Sequence, residues 1–259
     1  MPTGFYWSRA VEFTLELAGI LVLVAVAAGF IDSIAGGGGL LVIPALLLTG
    51  MSPAQALGTN KLQAVFGKGS SVYYFWRQGI YDWHSLKPAL LICSISAFLG
   101  AFAIQILEPS LLKQVIPWVI IAIAIYTLFS PKISDDEAKR RIPWTVFLLV
   151  PLPLIIFYDG FFGPASGSFL LIAFMLLNGD SVVNASAKMR LFLLISNIAA
   201  LVAFSLGGNV LWQVGFAMAL GQWLGARLGS TLVHRKGAAI VKPMLAIVSF
   251  SIAGRLFLK

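Results

Sequence analysis

Charge is what this sequence has least of. Only 11% of its 259 residues are Asp, Glu, Lys or Arg, against about 25% in an average soluble domain, so a surface exposed to water on all sides has no inventory to be built from. Cysteine is nearly missing too. Cys93 stands alone, which excludes a disulfide framework or a thiol metal cluster within one chain. The two histidines, His84 and His234, fall beside expected helix ends, where interfacial or capping roles outweigh catalysis. No His-Glu-x-x-His, Gly-x-Ser-x-Gly or phosphate-loop signature occurs. The expectation is a non-enzyme with no metal and no cofactor.

What the sequence has in quantity is apolar length. Hydrophobic residues make up 59%, and the runs 19–31, 116–129, 146–157 and 192–206 contain no acidic or basic side chain. With their flanks, several reach the roughly 20 residues that a bilayer crossing needs. The chain therefore reads as an all-α polytopic membrane protein, with the lipid bilayer as its first partner. Glu12 and Glu16 flank the first apolar run against Arg9 alone, unlike the positive start of a signal peptide, so 13–33 reads as an uncleaved span. Lys and Arg outnumber Asp and Glu 18 to 10, a net charge of +8. No zinc-finger or RNP-like pattern accompanies that surplus, so it reads as loop charge on one membrane face and not as a nucleic-acid surface.

The chain repeats itself. Placing Leu48-Thr49-Gly50 over Leu177-Asn178-Gly179 also brings Ser52 over Ser181, Ala56 over Ala185, Lys61 over Arg190 and Phe75 over Phe204. Upstream, with a two-residue slip, Phe30-Ile31-Asp32 falls over Phe157-Tyr158-Asp159 and Gly36 over Gly163. Each half then reads as a long apolar helix ending in an acid, a break, a short apolar segment, a helix with embedded cations and two further spans. The domains expected are a first repeat 1–130, a charged linker 131–143 and a second repeat 144–259.

The short segments 40–49 and 169–178 decide the topology. Ten residues at 1.5 Å per residue cover about 15 Å, half the hydrocarbon core. Such a piece reads as part of a re-entrant hairpin, tolerated where its irregular backbone is buried in protein. Each half then makes three net crossings, and the halves are inverted. Arg77, Lys87, Lys132, Lys139, Arg140, Arg141, Arg235, Lys236 and Lys242 fall on one face and Arg9, Lys113 and Lys259 on the other, the bias expected of a cytoplasmic and a periplasmic side. The linker 131–143 is then cytoplasmic and both termini periplasmic or extracellular, in an inner membrane. The alternative has the short segments merged into full crossings, with four spans per half and parallel repeats.

Charges at membrane depth cost about 2.5–3.5 kcal/mol each on insertion scales, and here they gather around the two breaks. In the first, Asp32 and Ser33 precede Gly36, Gly37, Gly38 and Gly39, four residues that each disfavour helix by about 1 kcal/mol relative to alanine. Unwinding there frees backbone N–H groups, and the start of the next short helix makes an anion site. In the second, Asp159 leads into Gly163, Ser166, Gly167 and Ser168. Lys61 and Arg190 occupy matching positions, with Thr59, Asn60, Ser186, Lys188 and Asn197 as neighbouring polar groups. Two buried cations among hydrogen-bonding groups suit a small anion. Plainer readings compete: the glycines serve close helix packing, and Lys61 pairs with Asp32 and Arg190 with Asp159 only to neutralise each other. Lys68 either lines the same path or snorkels to the interface. Asp32 and Asp159 also qualify as proton carriers, so proton or cation coupling is an open expectation, as is a homo-oligomer.

At Gly29-Phe30-Ile31-Asp32-Ser33-Ile34-Ala35-Gly36-Gly37-Gly38-Gly39, Pro44, Ala56-Leu57-Gly58-Thr59-Asn60-Lys61 and the echo from Tyr158 to Phe169, the chain resembles the TauE/SafE, or sulfite exporter, family of membrane permeases. The resemblance covers essentially the whole chain. It implies a transporter, often an exporter, of sulfite, thiosulfate, sulfonates or other organic anions. From the residues themselves three readings stand: a secondary transporter alternating around a midplane anion site, an anion channel, and a non-transporting scaffold.

Overall fold

The computed structural model describes residues 15–108, 140–236 and 239–240. The expected span 110–130, most of 239–257 and most of the linker lie outside these. Helices account for nearly everything described. Leu15–Ala35 (α1) is apolar between Glu16 and Asp32 and stops where Gly36 turns to φ +75°, a conformation that costs a side-chain-bearing residue about 1–2 kcal/mol. Gly39–Leu48 (α2) follows. Pro53–Arg77 (α3) starts at a full capping box: Ser52 Oγ accepts from Gln55 N and Gln55 Oε1 accepts from Ser52 N, with Pro53 in the first turn where its missing N–H costs nothing. Trp83–Ile106 (α4) returns.

In the second half, Trp144–Leu149 (α5) and Pro151–Phe161 (α6) are one apolar stretch interrupted at Val150, because Pro151 has no N–H to continue the ladder. Ser166–Ala173 (α7) runs into a π-helical turn, Phe174–Asn178. Ser181 caps Val182–Leu206 (α8), and Trp212–Lys236 (α9) ends the described chain in His234, Arg235 and Lys236. Four stretches, Leu15–Ile34, Leu86–Ile106, Trp144–Phe161 and Val182–Leu206, are long and apolar enough to cross a bilayer. The protein is an all-helical, multi-pass membrane protein.

Among the described residues, the six glycines with positive φ stand at positions that the sequence register aligns: Gly36 with Gly163, Gly50 with Gly179, Gly79 with Gly208. Packing is exchanged between halves. The heaviest contacts are α1 on α9, α4 on α6, α3 on α9 and α4 on α8, with α3 and α8 crossing between them. Small residues make the seams. Gly221, Gly225 and Gly229 of α9 lie on the backbone of Val22, Val26 and Phe30 of α1, so close that a Cβ on Gly225 would stand 2.0 Å from the Val26 oxygen. Gly100 of α4 meets Phe157 of α6 in the same way. Without water to drive association, such close backbone approach is what holds membrane helices together.

Both breaks are tips of fold-back hairpins. Gly38 sits against Ala28 and Asp32, and Val42 and Leu46 of α2 pack in one cluster with Leu21, Ala25 and Ala28 of α1, so α2 runs back along α1. In the second half Tyr158 stacks near Phe169 and Phe147 near Phe174, and the Arg141 and Ile142 amides both donate to Leu177 O. The returning arm thus reaches the level where α5 begins. The tips meet head on, because a Cβ on Gly36 would stand 2.5 Å from the Gly167 Cα. Between the tips and the flanks, α3 and α8 run antiparallel: Gly58 lies against Phe204 and Asn209, and Phe75 against Arg190. At that end Tyr81 donates to Ala187 O at 3.0 Å, and its burial pushes the phenol well above its ordinary range, keeping it a donor.

Candidate functional site

Lys61, Ala64 and Lys68 line one face of α3 at i, i+3 and i+7, midway along a 25-residue helix. Opposite them stand the hairpin tips. Lys61 Nζ donates to the backbone oxygen of Asp159 and, at 3.2 Å, to its Oδ2. The Asp159 carboxylate also accepts from Ser166 Oγ and Ser196 Oγ, each at 2.5 Å, and Asn197 Nδ2 approaches at 3.5 Å. Lys68 Nζ pairs with Asp32 Oδ2 at 2.9 Å, while Gly38 N donates to Asp32 Oδ1 at 3.2 Å. Lys61 and Asp159 are 1% and 3% exposed. Pairs this dry survive only when their remaining valences are met, and the two serines, Asn197 and the freed glycine amide meet them.

These groups surround a cavity of about 20 Å³ lined by Asp32, Gly39, Asn60, Lys61, Ala64, Lys68, Asp159, Gly163, Ser166, Asn197 and Gln222. That is room for about one water. Asn60 is held by Gln63 Nε2 at 2.9 Å, and Gln222 keeps an Oε1 with no partner among the described residues. Gly67 has no side chain because Gln222 fills its place; a Cβ there would stand 2.5 Å from Gln222 Cγ.

The structure thus gathers Asp32, Gly39, Asn60, Lys61, Asp159, Gly163, Ser166 and Asn197 around one cavity, with Gly36, Gly37, Gly38, Gly167 and Ser168 in the tips that close it. It sets others apart. Ser33 Oγ donates to Phe30 O one turn back, and Thr59 Oγ1 accepts from Leu211 N, fastening the α8–α9 connection. Lys188 pairs with Asp180 at 2.6 Å near the start of α8, away from the cavity. Arg190 donates to Ser186 O within its own helix and lies 4.9 Å from the Phe75 ring. Its Nε and Nη2, and Ser186 Oγ, have no hydrogen-bond partner among the described residues.

The plainer reading of the sequence, Lys61 neutralising Asp32 and Arg190 neutralising Asp159, is not the pairing formed. Asp32 takes Lys68 of its own half, Asp159 takes Lys61 of the other, and Arg190 takes neither carboxylate. Asn197 matches Lys68, so Asp159 lacks the cation that Asp32 has at hand; the antiparallel α3 delivers Lys61 instead. Ser196 and Gln222 were not foreseen. Ser196 had a signal, a hydroxyl beside Asn197 in an otherwise apolar run, whereas Gln222 had none.

Buried ions brought together at the tips of two fold-back hairpins, inside an all-helical bundle with several helices long and apolar enough to cross a bilayer, define a polytopic membrane protein. The chain matches the family described as sulfite exporter TauE/SafE over residues 21–256. It belongs to that family and is a membrane transporter. The probable membrane transporter protein YfcA of Escherichia coli K12 is 45% identical over 240 residues, covering 93% of this chain and 89% of its own. A probable membrane transporter protein of Haemophilus influenzae is 42% identical over 245 residues, 95% of this chain and 96% of its own. YunE of Bacillus subtilis, also a probable membrane transporter protein, is 23% identical over 254 residues, 88% of this chain and 93% of its own. No solved structure matches.

Proposed function

We propose that this protein is a secondary transporter of a small anion, working by alternating access around the cavity between the hairpin tips. The observation that carries the reading is a charge count. Lys61, Lys68 and Arg190 are three buried cations against the two carboxylates Asp32 and Asp159; the pairs Lys61–Asp159 and Lys68–Asp32 balance at the cavity, so the +1 left over in the bundle is that of Arg190, outside the cavity lining. An unbalanced charge in a low-dielectric interior is costly, and a bound monoanion cancels it. The family's description as sulfite exporters makes a sulfur oxyanion or sulfonate the first substrate class to test, with export the expected direction and the inner membrane the expected site. No catalytic role is assigned to any residue.

Two features favour a carrier over a channel. The cavity holds about one water, so an oxyanion enters only if the tips separate. Matched helices α3 and α8 run antiparallel, with Gly58 against Phe204 and Phe75 against Arg190. A twofold axis relating antiparallel helices is perpendicular to them, which supports halves inserted in opposite orientation. In such a protein the two halves can trade conformations. Arg190 is then the counterpart that takes Asp32 when the site opens to the other side, as Lys61 takes Asp159 here. The end of the bundle carrying Arg77, Lys87, Arg235 and Lys236 is assigned to the cytoplasm.

The test is flux in proteoliposomes after a thermal-shift screen with sulfite, thiosulfate, sulfate, taurine and simple carboxylates. A carrier gives saturable flux and counterflow with the anion that shifts the melt. Unsaturable flux would make the protein a channel, and neither flux nor shift would leave the scaffold reading.

A further inference from the structure

Two grooves on the outside of the bundle occupy equivalent places in the two halves. One, between α4 and α8, is lined by Ser94, Ile95, Phe98, Leu99, Ile195, Ile198, Ala199 and Val202. The other, between α3 and α9, has about 420 Å³ of space. Shifting by the 129-residue repeat register carries most of the first set onto the second: Ile195 becomes Phe66, Ile198 becomes Gly69, Val202 becomes Tyr73, Ser94 becomes Trp223 and Phe98 becomes Arg227. The same scaffold position is therefore wholly aliphatic and aromatic on one side, apart from Ser94. On the other it carries an arginine, a glycine and three aromatics in place of Ile195, Val202 and Ser94.

Arg227 is the unexplained part. Its guanidinium lies 4.9 Å from the Tyr74 ring and 5.9 Å from the Tyr73 ring, and it forms no ion pair among the described residues. Tyr74 in turn meets His234, the first basic residue at the end of α9, edge to face, while Tyr73 and Trp76 are half exposed and pack on each other. The cation is thus held at the level of an aromatic belt, next to the basic end of the bundle, where Tyr and Trp mark the headgroup region. Below it the groove is apolar, with Val65, Phe66, Leu194 and Trp223 as walls. Its floor is cleared at Gly69, where a Cβ would touch nothing within 4 Å.

We propose that the α3–α9 groove binds one anionic phospholipid, its phosphate on Arg227 and an acyl chain along Phe66, Gly69 and Trp223. A cation supplies the match for the phosphate, two tyrosine faces hold that cation in place, and an apolar channel leads from it toward the bilayer centre. The matched α4–α8 groove, with about 520 Å³ of space, lacks the cation and carries Ile198 in place of Gly69, so it serves as an internal control for the headgroup contact. The inference rests on the surface of the bundle and does not depend on the transport reading.

The test is native mass spectrometry of delipidated full-length protein titrated with phosphatidylglycerol, with phosphatidylcholine and with glycerol phosphate as the headgroup alone. Wild type is expected to retain phosphatidylglycerol over phosphatidylcholine and to ignore glycerol phosphate. Arg227→Gln should lower that preference by about fivefold, the weight of one cation against an anionic lipid, and Arg227→Lys should keep most of it. Gly69→Leu should displace lipid of either headgroup while the protein melts no lower than wild type, since space for the side chain is already there; this variant serves if Arg227→Gln does not fold. An unchanged preference in Arg227→Gln, wild-type lipid retention in a folded Gly69→Leu, or a groove variant that instead shifts a dimer to monomer would overturn the proposal.

Discussion

Replacing Lys61 by glutamine removes one of three buried cations while keeping a hydrogen-bond donor of similar reach. Two consequences differ in size. For stability, removing one member of a buried pair costs about 3–5 kcal/mol. Asp159 keeps Ser166, Ser196 and Asn197 as donors, so the low end, about 3 kcal/mol, is expected. For binding, the cavity's own charge falls from 0 to −1, and that of the buried set including Arg190 from +1 to 0. A monoanion about 4 Å from Nζ at an effective dielectric of 20 loses roughly 4 kcal/mol of attraction, or about a thousandfold in affinity. The assay is counterflow in proteoliposomes, paired with a thermal melt to establish folding. The double variant Lys61→Gln/Asp159→Asn restores the +1 count with Lys68, Arg190 and Asp32, and should recover part of the affinity without recovering the specific grip. A folded Lys61→Gln protein that transports with an unchanged KM would refute the charge argument, and so would a double variant no better than the single.

Other outcomes follow from the same geometry. Arg190→Met removes a dry, half-satisfied guanidinium and should leave the melt unchanged or raise it by up to about 1–4 kcal/mol of stability, yet abolish counterflow if Arg190 takes Asp32 in the opposite state; a folded variant with full turnover would remove it from the cycle. Gly36→Ala and Gly167→Ala each force a Cβ to within 2.5 Å of backbone at the tips, and should cost about 1–3 kcal/mol, whereas Gly19→Ala, with open space around it, should gain up to about 1 kcal/mol; melts of the three separate tip packing from helix propensity. With Cys93 changed to alanine, single cysteines at Gln78 and Leu206, both exposed and near matched positions, should react with an impermeant thiol reagent from opposite sides, Gln78→Cys from the cytoplasm and Leu206→Cys from the periplasm. Labelling of both from one side would refute the inverted orientation.

Much of this molecule can be read in one dimension because the bilayer enforces one-dimensional rules. Apolar length declares spans, since no backbone polar group can go unpaired in lipid. A ten-residue segment declares a fold-back, since it is too short to cross. Gly36 and Gly163 declared the breaks, and both take positive φ where the helices end. Asp32, Lys61 and Asp159 stood out because ions at that depth need partners.

What sequence did not determine is which partner. Symmetry pointed to Lys61 with Asp32 and Arg190 with Asp159; folding crossed α3 over an antiparallel α8, and distance across that crossing gave Lys61 to Asp159, Lys68 to Asp32 and nothing to Arg190. Lys188 looked equivalent to Arg190 by composition, yet two residues along a helix is about 200° around it, and it faces Asp180 instead. Gln222 joined the cavity only because Gly67, far earlier in the chain, leaves room for it. Hydrophobicity and helix breaking are local properties, so they were legible in the chain. Ion pairing is set by distances across helix crossings, so only the tertiary structure decided it.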